Sequence, residues 1–317
     1  LRGSRLQVDE LAMRTATGLL AIAGNVDWAD GVSANLDYRL DEPAPGDYIP
    51  GLPDSMIIEN LRSSGQLSFS QAATGPAGEP GAQVLSFSID NLQASVNDYT
   101  FTGDGGFDYD GDTWTVDSFA LQTGENRLAL TASLRDGNRI NADASIDAPA
   151  LSVIYPDLEG RLRADATVTG RLDEPVIDLD LTASNVVFGA ISVPELVVTG
   201  QNRGGMNEIE LTTGNIRVPV GETTETVSDV LLRLRGQPDA HNVLLRMDSS
   251  LVNIRLNADG SLANGGWRGR LLSSEINSDY GRWQQSQAAD ISLATEQMNM
   301  ETLCWEMVAT NLCINAA

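Results

Sequence analysis

The stretch that decides the fold lies at residues 158–182 and reads LEGRLRADATVTGRLDEPVIDLDLT. Its apolar side chains recur at every second position, first as Leu162, Ala164, Ala166 and Val168 and then as Ile177, Leu179 and Leu181. A period of two places alternate side chains on opposite faces of a β-strand. The stretch therefore predicts two consecutive strands, each with one apolar and one polar face.

The same alternation recurs along the chain, for example at Leu128, Leu130, Ala132 and Leu134. Turn signals such as Asp136-Gly137 and Asp259-Gly260 separate these segments. Asp-Gly pairs tolerate the positive φ angles of tight hairpin turns. The chain is therefore predicted to be a meander of antiparallel hairpins.

Two segments depart from this pattern. Residues 53–61 (PDSMIIENL) predict a short helix with Asp54 as its N-cap. Residues 71–81 contain Gly75-Pro76 and Glu79-Pro80-Gly81, which favour a long exposed loop. We expect this loop to interrupt an otherwise continuous sheet.

Length and composition set the architecture. At about 12–15 residues per strand and turn, 317 residues give on the order of twenty strands, too many for an open flat sheet. The aromatic fraction is 5%, which is low for the core of a sandwich. We therefore predict an all-β fold: an elongated, curved antiparallel β-sheet with an apolar groove, continuous over residues 1–317 and cut from a longer chain. The alternative is that the apolar faces close on each other as a dry sandwich core.

The charge balance narrows the choice of partners. The chain has 44 acidic and 20 basic residues, a net charge of −24, and every basic residue is arginine. Nucleic-acid binding needs a basic surface that displaces counterions from phosphates. We therefore expect no nucleic-acid partner, and we interpret the outward carboxylates as a solubilising surface.

Candidate chemical groups are few. Cys304 and Cys313 are the two cysteines, and a hairpin between them would allow a disulfide in an oxidising compartment; two buried thiols are the alternative. Asp108, Asp110 and Asp112 alternate as the ligands of a calcium loop do, but the distal Glu that such a loop needs is absent. We therefore interpret them as exposed carboxylates of a hairpin turn. His241 is the one histidine, and we interpret it as structural. We predict no catalytic residues, no metal and no cofactor.

Several stretches together resemble a known family. They are 6–28 (with TGL at 17–19 and GNVDW at 24–28), 123–128 (TGENRL), 151–162 (LSVIYPDLEGRL), 170–177 (GRLDEPVI), 236–241 (GQPDAH), 267–269 (WRG), 281–283 (GRW), 304–305 (CW) and 312–313 (LC). In this order they resemble the C-terminal part of inner-membrane-anchored proteins of the AsmA-like family, which is similar to bridge-like lipid-transfer proteins.

The resemblance implies a taco-shaped sheet (a β-taco) whose groove conducts phospholipids across the periplasm between the inner and outer membranes. It also implies an outer-membrane partner, TamA, which has POTRA domains and a barrel and which other parts of the protein would contact. We predict that phospholipid acyl chains contact a lining that includes Leu128, Leu130, Leu134, Leu162, Val168, Ile177, Leu179 and Leu181. The alternative function is a chaperone or scaffold that assembles outer-membrane proteins by strand pairing with TamA.

Overall fold

A computed structural model describes residues 4–29, 31–45, 57–73, 81–96, 99–155, 157–221, 223–263, 266–294, 297–308 and 310–316. Its 21 strands belong to one antiparallel sheet. They are β1 Arg5–Arg14, β2 Leu19–Asp27, β3 Gly31–Glu42, β4 Ile58–Ala72, β5 Gln83–Val96, β6 Tyr99–Tyr109, β7 Thr113–Thr123, β8 Asn126–Arg135, β9 Arg139–Ala148, β10 Leu158–Arg171, β11 Glu174–Phe188, β12 Ile191–Arg203, β13 Met206–Val220, β14 Thr223–Gln237, β15 Ala240–Ser249, β16 Val252–Ala263, β17 Gly266–Ser278, β18 Gly281–Gln285, β19 Ala289–Ala294, β20 Gln297–Met307 and β21 Thr310–Ala316. The prediction of an all-β antiparallel sheet is confirmed.

The predicted helix over 53–61 is wrong where the structure describes that segment. Residues 58–61 begin β4, and Leu61 pairs with Glu42 of β3. Ile58 pairs with Val96 of β5 on the other side. A short apolar run fits a strand as well as a helix, and pairing on both sides decides for the strand. Residues 53–56 lie outside the described residues.

The predicted loop over 71–81 falls partly outside the described residues, which omit 74–80. Gln71 and Ala72 still belong to β4, and β5 begins at Gln83. Ala72 donates its backbone N–H to the carbonyl of Ala82 at 3.1 Å. The two strands therefore stay paired up to the edge of the connection.

The chain divides into two compact units. Unit 1 comprises Leu1–Ile154 and Thr167–Asp173, and unit 2 comprises Tyr155–Ala166 and Glu174–Ala317. Within unit 1, each strand from β1 to β9 pairs with the next along the chain. Within unit 2, the same meander continues from β11 to β17. Each unit is thus built from consecutive hairpins. The predicted turn at Asp136-Gly137 joins β8 to β9, whereas the turn predicted at Asp259-Gly260 is wrong, because both residues lie inside β16 and pair with β15 and β17.

The last strands of unit 2 depart from the simple meander. β18 and β19 both pair with β17 on one side and with β20 on the other. They act as two halves of one strand, interrupted at residues 286–288. β21 then pairs with β20 and completes the described sheet.

Little of the apolar surface is fully buried. The chain exposes 19997 Å² of surface. A compact protein of 33.8 kDa would expose about 12,700 Å², and two separate compact bodies of half that mass about 15,400 Å². The buried apolar residues are Ala148, Leu151, Ala164, Ala183, Ala258, Leu271, Ala289, Leu303 and Trp305, and five of these nine are alanines. Most large apolar side chains of the described residues therefore keep some contact with solvent.

Candidate functional site

The candidate site is the apolar face of the sheet, which strand register defines directly. Residues directly opposite each other on neighbouring antiparallel strands point to the same face. In unit 2, one row of such residues crosses β11 to β16 and consists only of aliphatic side chains. The row is Leu181, Val198, Leu211, Leu232, Leu245 and Leu256.

Rows on either side of this one are also uncharged. The row that passes through Leu179 reads Leu179, Gly200, Ile209, Leu234, Val243 and Ala258. The row that passes through Ala183 reads Ala183, Leu196, Thr213, Val230, Met247 and Ile254. At about 4.8 Å per strand, six strands span about 24 Å, which exceeds the roughly 15 Å that one leaflet of a bilayer core occupies. The face is large enough to hold an extended acyl chain.

Several members of these rows remain open to solvent. Ile209 is 43% exposed and Leu232 is 37% exposed, while Leu181, Val198, Leu211 and Leu245 are half-buried. A dry sandwich core would bury such leucines almost completely. The apolar face of β11–β16 is therefore accessible, and burying a ligand there would gain about 0.8 kcal/mol per CH₂ group.

Charges in this region lie on the opposite face. Arg235 of β14 binds Glu208 of β13, with its Nε 2.8 Å from Oε1. Arg203 donates to Asp178 at 2.9 Å from β12 to β11. Exposed cross-strand pairs of this kind each contribute only about 0.2–1 kcal/mol. Their main effect is to keep one face polar while the other stays apolar.

Unit 1 carries an apolar face of its own, richer in aromatic rings. One row reads Leu85, Tyr109, Trp114, Leu134 and Ile140 across β5 to β9. The Tyr109 and Trp114 rings stack with centroids 4.2 Å apart, and Trp114 is 37% exposed. Ring stacking adds about 0.5–1.5 kcal/mol beyond the area that is buried.

The connection that follows β9 lies at one end of this face in unit 1, where β6 and β8 begin. The 3-10 turn Leu151–Val153 follows β9, and Leu151 is buried. The buried Asn126 side chain donates to the carbonyl of Ala150 at 2.8 Å and accepts from its N–H at 3.0 Å. Tyr99 donates its hydroxyl to the carbonyl of Ser152 at 3.1 Å. The connection is thus fastened along the ends of β6 and β8.

The structure places the eight predicted lining residues half-buried on strands of the sheet. Leu128, Leu130 and Leu134 share a face of β8 and lie opposite Leu121, Phe119 and Trp114 of β7. Ile177, Leu179 and Leu181 share a face of β11, opposite Asn202, Gly200 and Val198 of β12. Leu162 and Val168 lie on β10, on the face away from the exposed Arg161 and Thr167. Their role as a lining stays a prediction.

Sequence reasoning missed most of the apolar face of unit 2. The aliphatic members of β12 to β15 were not singled out, among them Val198, Leu211, Leu232 and Leu245. Their alternation was visible in the sequence, and the hairpin turns at Arg203-Gly204-Gly205 and Gly236-Gln-Pro238 indicated which strands pair. Only the register shows that they form rows.

At β17–β20 the apolar face is buried by packed side chains, unlike the accessible face of β11–β16. Leu271, Ala289, Leu303 and Trp305 are buried there and pack with half-buried Trp267, Trp283 and Ile291. Trp305 donates its indole N–H to the Ser274 hydroxyl at 2.8 Å, and that hydroxyl donates to Gln285 at 2.8 Å. This part of the face is packed by its own side chains.

The remaining candidate groups have structural partners. Cys304 and Cys313 are opposite each other on β20 and β21 and are joined by a disulfide. Asp110 accepts a hydrogen bond from the Thr113 N–H at 3.0 Å, which holds the β6–β7 turn. His241 is buried and forms hydrogen bonds through both ring nitrogens.

Within the described part of the chain, no three His, Cys, Asp or Glu side chains gather as a metal site, and no helix is long and apolar enough to cross a membrane.

Comparison with known proteins decides the family. The family described as the TamB N-terminal domain matches residues 2–317. The chain belongs to the TamB family. The earlier assignment to a C-terminal part gives way to this description, which names the N-terminal domain. The translocation and assembly module subunit TamB of Haemophilus influenzae is 24% identical over 319 residues, which covers 98% of this chain and 23% of that protein. The chain thus spans about a quarter of the length of this TamB relative.

Proposed function

We propose that this segment holds the acyl chains of phospholipids on its apolar face and forms part of a non-enzymatic conduit in a translocation and assembly module. The observation that carries the proposal is the uncharged, accessible surface of β11–β16, with its central row of six aliphatic side chains. A fully packed core would have no reason to leave leucines such as Leu232 exposed.

Membership of the TamB family supports the setting of this proposal. The H. influenzae relative is named as a subunit of a translocation and assembly module. By analogy, we propose that the full protein lies in the periplasm, is anchored in the inner membrane and works with TamA in outer-membrane biogenesis. Rows such as that of Leu181 contain no polar side chain that would hold a lipid at one position. Acyl chains would therefore slide along the apolar face while the headgroups remain in water.

Photo-crosslinking in the full-length protein tests lipid contact with a matched pair of positions. Leu245 of β15 lies on the apolar face, whereas Val197 of β12 points to the opposite face, beside Val198 of the apolar row. A photoreactive residue at Leu245 is expected to capture phospholipid, identified by mass spectrometry of the crosslinked peptide. The same residue at Val197 is the control and should capture none. Equal capture at both positions, or none at Leu245, would contradict the proposal.

A second pair of variants tests transport. Leu179→Arg places a charge in the apolar face, whereas Thr182→Arg places the same charge on the opposite, exposed side of β11. We expect Leu179→Arg to lose co-purifying phospholipid and outer-membrane integrity, and Thr182→Arg to keep both. Normal outer-membrane integrity in a folded Leu179→Arg protein would count against a conduit.

The alternative of a strand-pairing scaffold has one specific observation behind it. Among the described residues, β1 pairs only with β2, so its other edge presents unpaired backbone groups that suit β-augmentation. Photoreactive residues along β1, for example at Gln7 or Asp9, should then capture an unfolded outer-membrane protein or TamA. Capture of lipid at Leu245 without protein capture at β1 would favour the conduit.

A further inference from the structure

A concavity of about 500 Å³ lies at β15–β18, and its lining includes Leu245 and Leu256 of the apolar row as well as charged residues of the alternate positions. One row of its lining reads Arg246, Arg255, Glu275 and Gln284, and the next reads Leu244, Asn257 and Ser273. The register of β16 and β17 shifts beside this site, where Asn257 and Ala258 face Ser273 and Leu271 and leave Leu272 as an extra residue. Such bulges increase local twist and often lie next to functional sites.

Two arginines face each other in this concavity. Arg246 of β15 lies directly opposite Arg255 of β16. Like charges in this arrangement destabilise a sheet. Elsewhere on the same face the register matches opposite charges, as for Glu208 with Arg235 and Glu210 with Arg233. Like charges also lie opposite each other at Asp229 and Asp248 on this face and at Arg135 and Arg139 in unit 1, but the arginine pair is the one that lines the concavity.

The neighbouring carboxylates do not neutralise both arginines. Asp248 accepts from Arg246 Nε at 2.8 Å, and Glu275 accepts from Arg282 at 2.5 Å. The Arg282 hydrogen bond, followed by the charges of Arg282 and Arg255, holds the pKa of Glu275 below its ordinary value. Within the described ranges, no carboxylate comes within ion-pair distance of the Arg255 guanidinium. Of these charged groups, Arg246, Arg255 and Glu275 line the concavity, so two guanidinium groups lie there beside one carboxylate.

We propose that Arg246 and Arg255 bind a phosphate-type oxyanion in this concavity. Guanidinium groups present planar pairs of N–H donors that match the oxygens of phosphate, and such charge-assisted bonds are about twice as strong as neutral ones. Asn257, Ser273 and Gln284 line the same space and supply neutral donors. An oxyanion between the two arginines would also relieve their mutual repulsion.

The proposed ligand approaches the sheet from the face that bears Arg246 and Arg255. A lipid whose acyl chains lay against Leu245 and Leu256 would be separated from Arg255 by the sheet itself, because adjacent positions on a strand point to opposite faces. The side chains of Arg246 and Arg255 therefore lie on the face away from the proposed acyl-chain surface. The same phosphate chemistry could come from free inorganic phosphate or from the polar headgroup of a lipid.

Titration with inorganic phosphate at constant ionic strength tests the site. The experiment uses the purified 317-residue chain, after circular dichroism has shown that it folds. NMR signals of the arginine Nε–H groups report binding. We expect saturable shifts, and at least tenfold weaker binding in Arg255→Gln. Arg235→Gln is the matched control, because it removes the same charge from the same face but from an arginine paired with Glu208. Its phosphate affinity should stay within twofold of the wild type.

A parallel titration with glycerophosphoglycerol distinguishes the two sources. Tighter binding than that of inorganic phosphate would identify a lipid headgroup, and weaker binding would identify free phosphate; both results support the site. Shifts that sodium chloride reproduces, or undiminished affinity in Arg255→Gln, would overturn it.

Stability provides a check that separates binding from folding. Without phosphate, Arg255→Gln should keep or raise the midpoint of unfolding, because it removes one of the two positive charges that repel each other across β15 and β16. Phosphate should then raise the midpoint of the wild type but not that of the variant. If Arg255→Gln does not fold, Arg246→Gln carries the same expectation for phosphate binding, although it also removes the pair with Asp248, and unchanged phosphate binding in that variant would equally overturn the proposal.

Discussion

Trp267 donates its indole N–H to Nε2 of His241 at 2.8 Å, although 26 residues separate them in the chain. Since Nε2 accepts this bond, the proton of the neutral imidazole lies on Nδ1, which donates to the Gln237 carbonyl at 3.2 Å. The indole also lies against Gly260 and Gly269, where an added Cβ would come within 2.4 Å of the ring. One tryptophan thus bridges β15, β16 and β17.

Removal of the indole N–H should cost stability. Trp267→Phe keeps a ring but leaves a buried histidine nitrogen without its donor, which typically costs about 1–3 kcal/mol. Trp283→Phe is the control, because Trp283 packs in the same cluster and its indole N–H has no partner among the described residues. Urea unfolding of both variants should show the larger loss for Trp267→Phe, and equal losses would refute the role of the hydrogen bond.

An added methyl group at Gly260 should displace the indole. Gly260→Ala forces the Trp267 ring away from the strand, and overpacking of this kind costs about 1–3 kcal/mol. The tryptophan emission should move to longer wavelength as the ring gains contact with water. Gly106→Ala serves for comparison, because a Cβ there meets nothing within 4 Å; a similar red shift in that variant would mean that the effect is not local.

Acid should weaken the β1–β2 turn through Glu42. Hydrogen bonds from Thr17, Thr15 and the Ala44 N–H hold the pKa of this buried carboxyl below its ordinary value of 4.5. A lowered folded-state pKa contributes stability that is present above pH 4.5 and is lost as the pH falls through the folded value. Stability curves of the wild type and Glu42→Gln should therefore converge in acid and separate near neutrality. Glu59→Gln, which replaces an exposed carboxyl on β4, controls for the Glu-to-Gln change itself.

Reduction should loosen the last hairpin. The Cys304–Cys313 disulfide closes a loop with a sequence separation of 9, and a loop of that length corresponds to about 2–3 kcal/mol in the chain-entropy view. Hydrogen exchange in β20 and β21 should accelerate on reduction, while exchange in β13 and β14 should not change. The double variant Cys304→Ser, Cys313→Ser should match the reduced wild type, and a reductant effect on that variant would contradict the explanation.

Asn126 should hold the connection that follows β9. Asn126→Ala removes both side-chain bonds to Ala150 and leaves its N–H and carbonyl without these partners, at a cost of about 1–3 kcal/mol. Faster hydrogen exchange over residues 149–154 is the expected signature. Asn141→Ala removes an exposed amide from β9 and should change neither stability nor exchange; protection of 149–154 that survives Asn126→Ala would show that other contacts hold it.

Part of the candidate surface was predictable from local pattern. Ile177, Leu179 and Leu181 alternate with polar residues, and the structure places all three on one face of β11. The Asp136-Gly137 turn likewise has positive φ at both residues and joins β8 to β9. Both outcomes depend on neighbouring residues alone, so the sequence contains the information needed.

Other features could not be predicted in this way. Residues 58–61 were assigned to a helix because Met56, Ile57 and Ile58 suit either structure, and pairing with β3 and β5 decided for the strand. The placement of Arg246 opposite Arg255 follows from the register of two strands and has no signature in either strand alone.

The amino-acid sequence by itself determined the class of the fold and the two-faced character of each strand, because alternation and turn chemistry act between residues a few positions apart. Tertiary structure alone decided which rows meet across strands, where bulges such as that at Leu272 shift the register, and which distant groups join, as Trp305 and Ser274 do. These outcomes depend on pairing between strands, whose free energy is a property of the assembled sheet and not of any one segment.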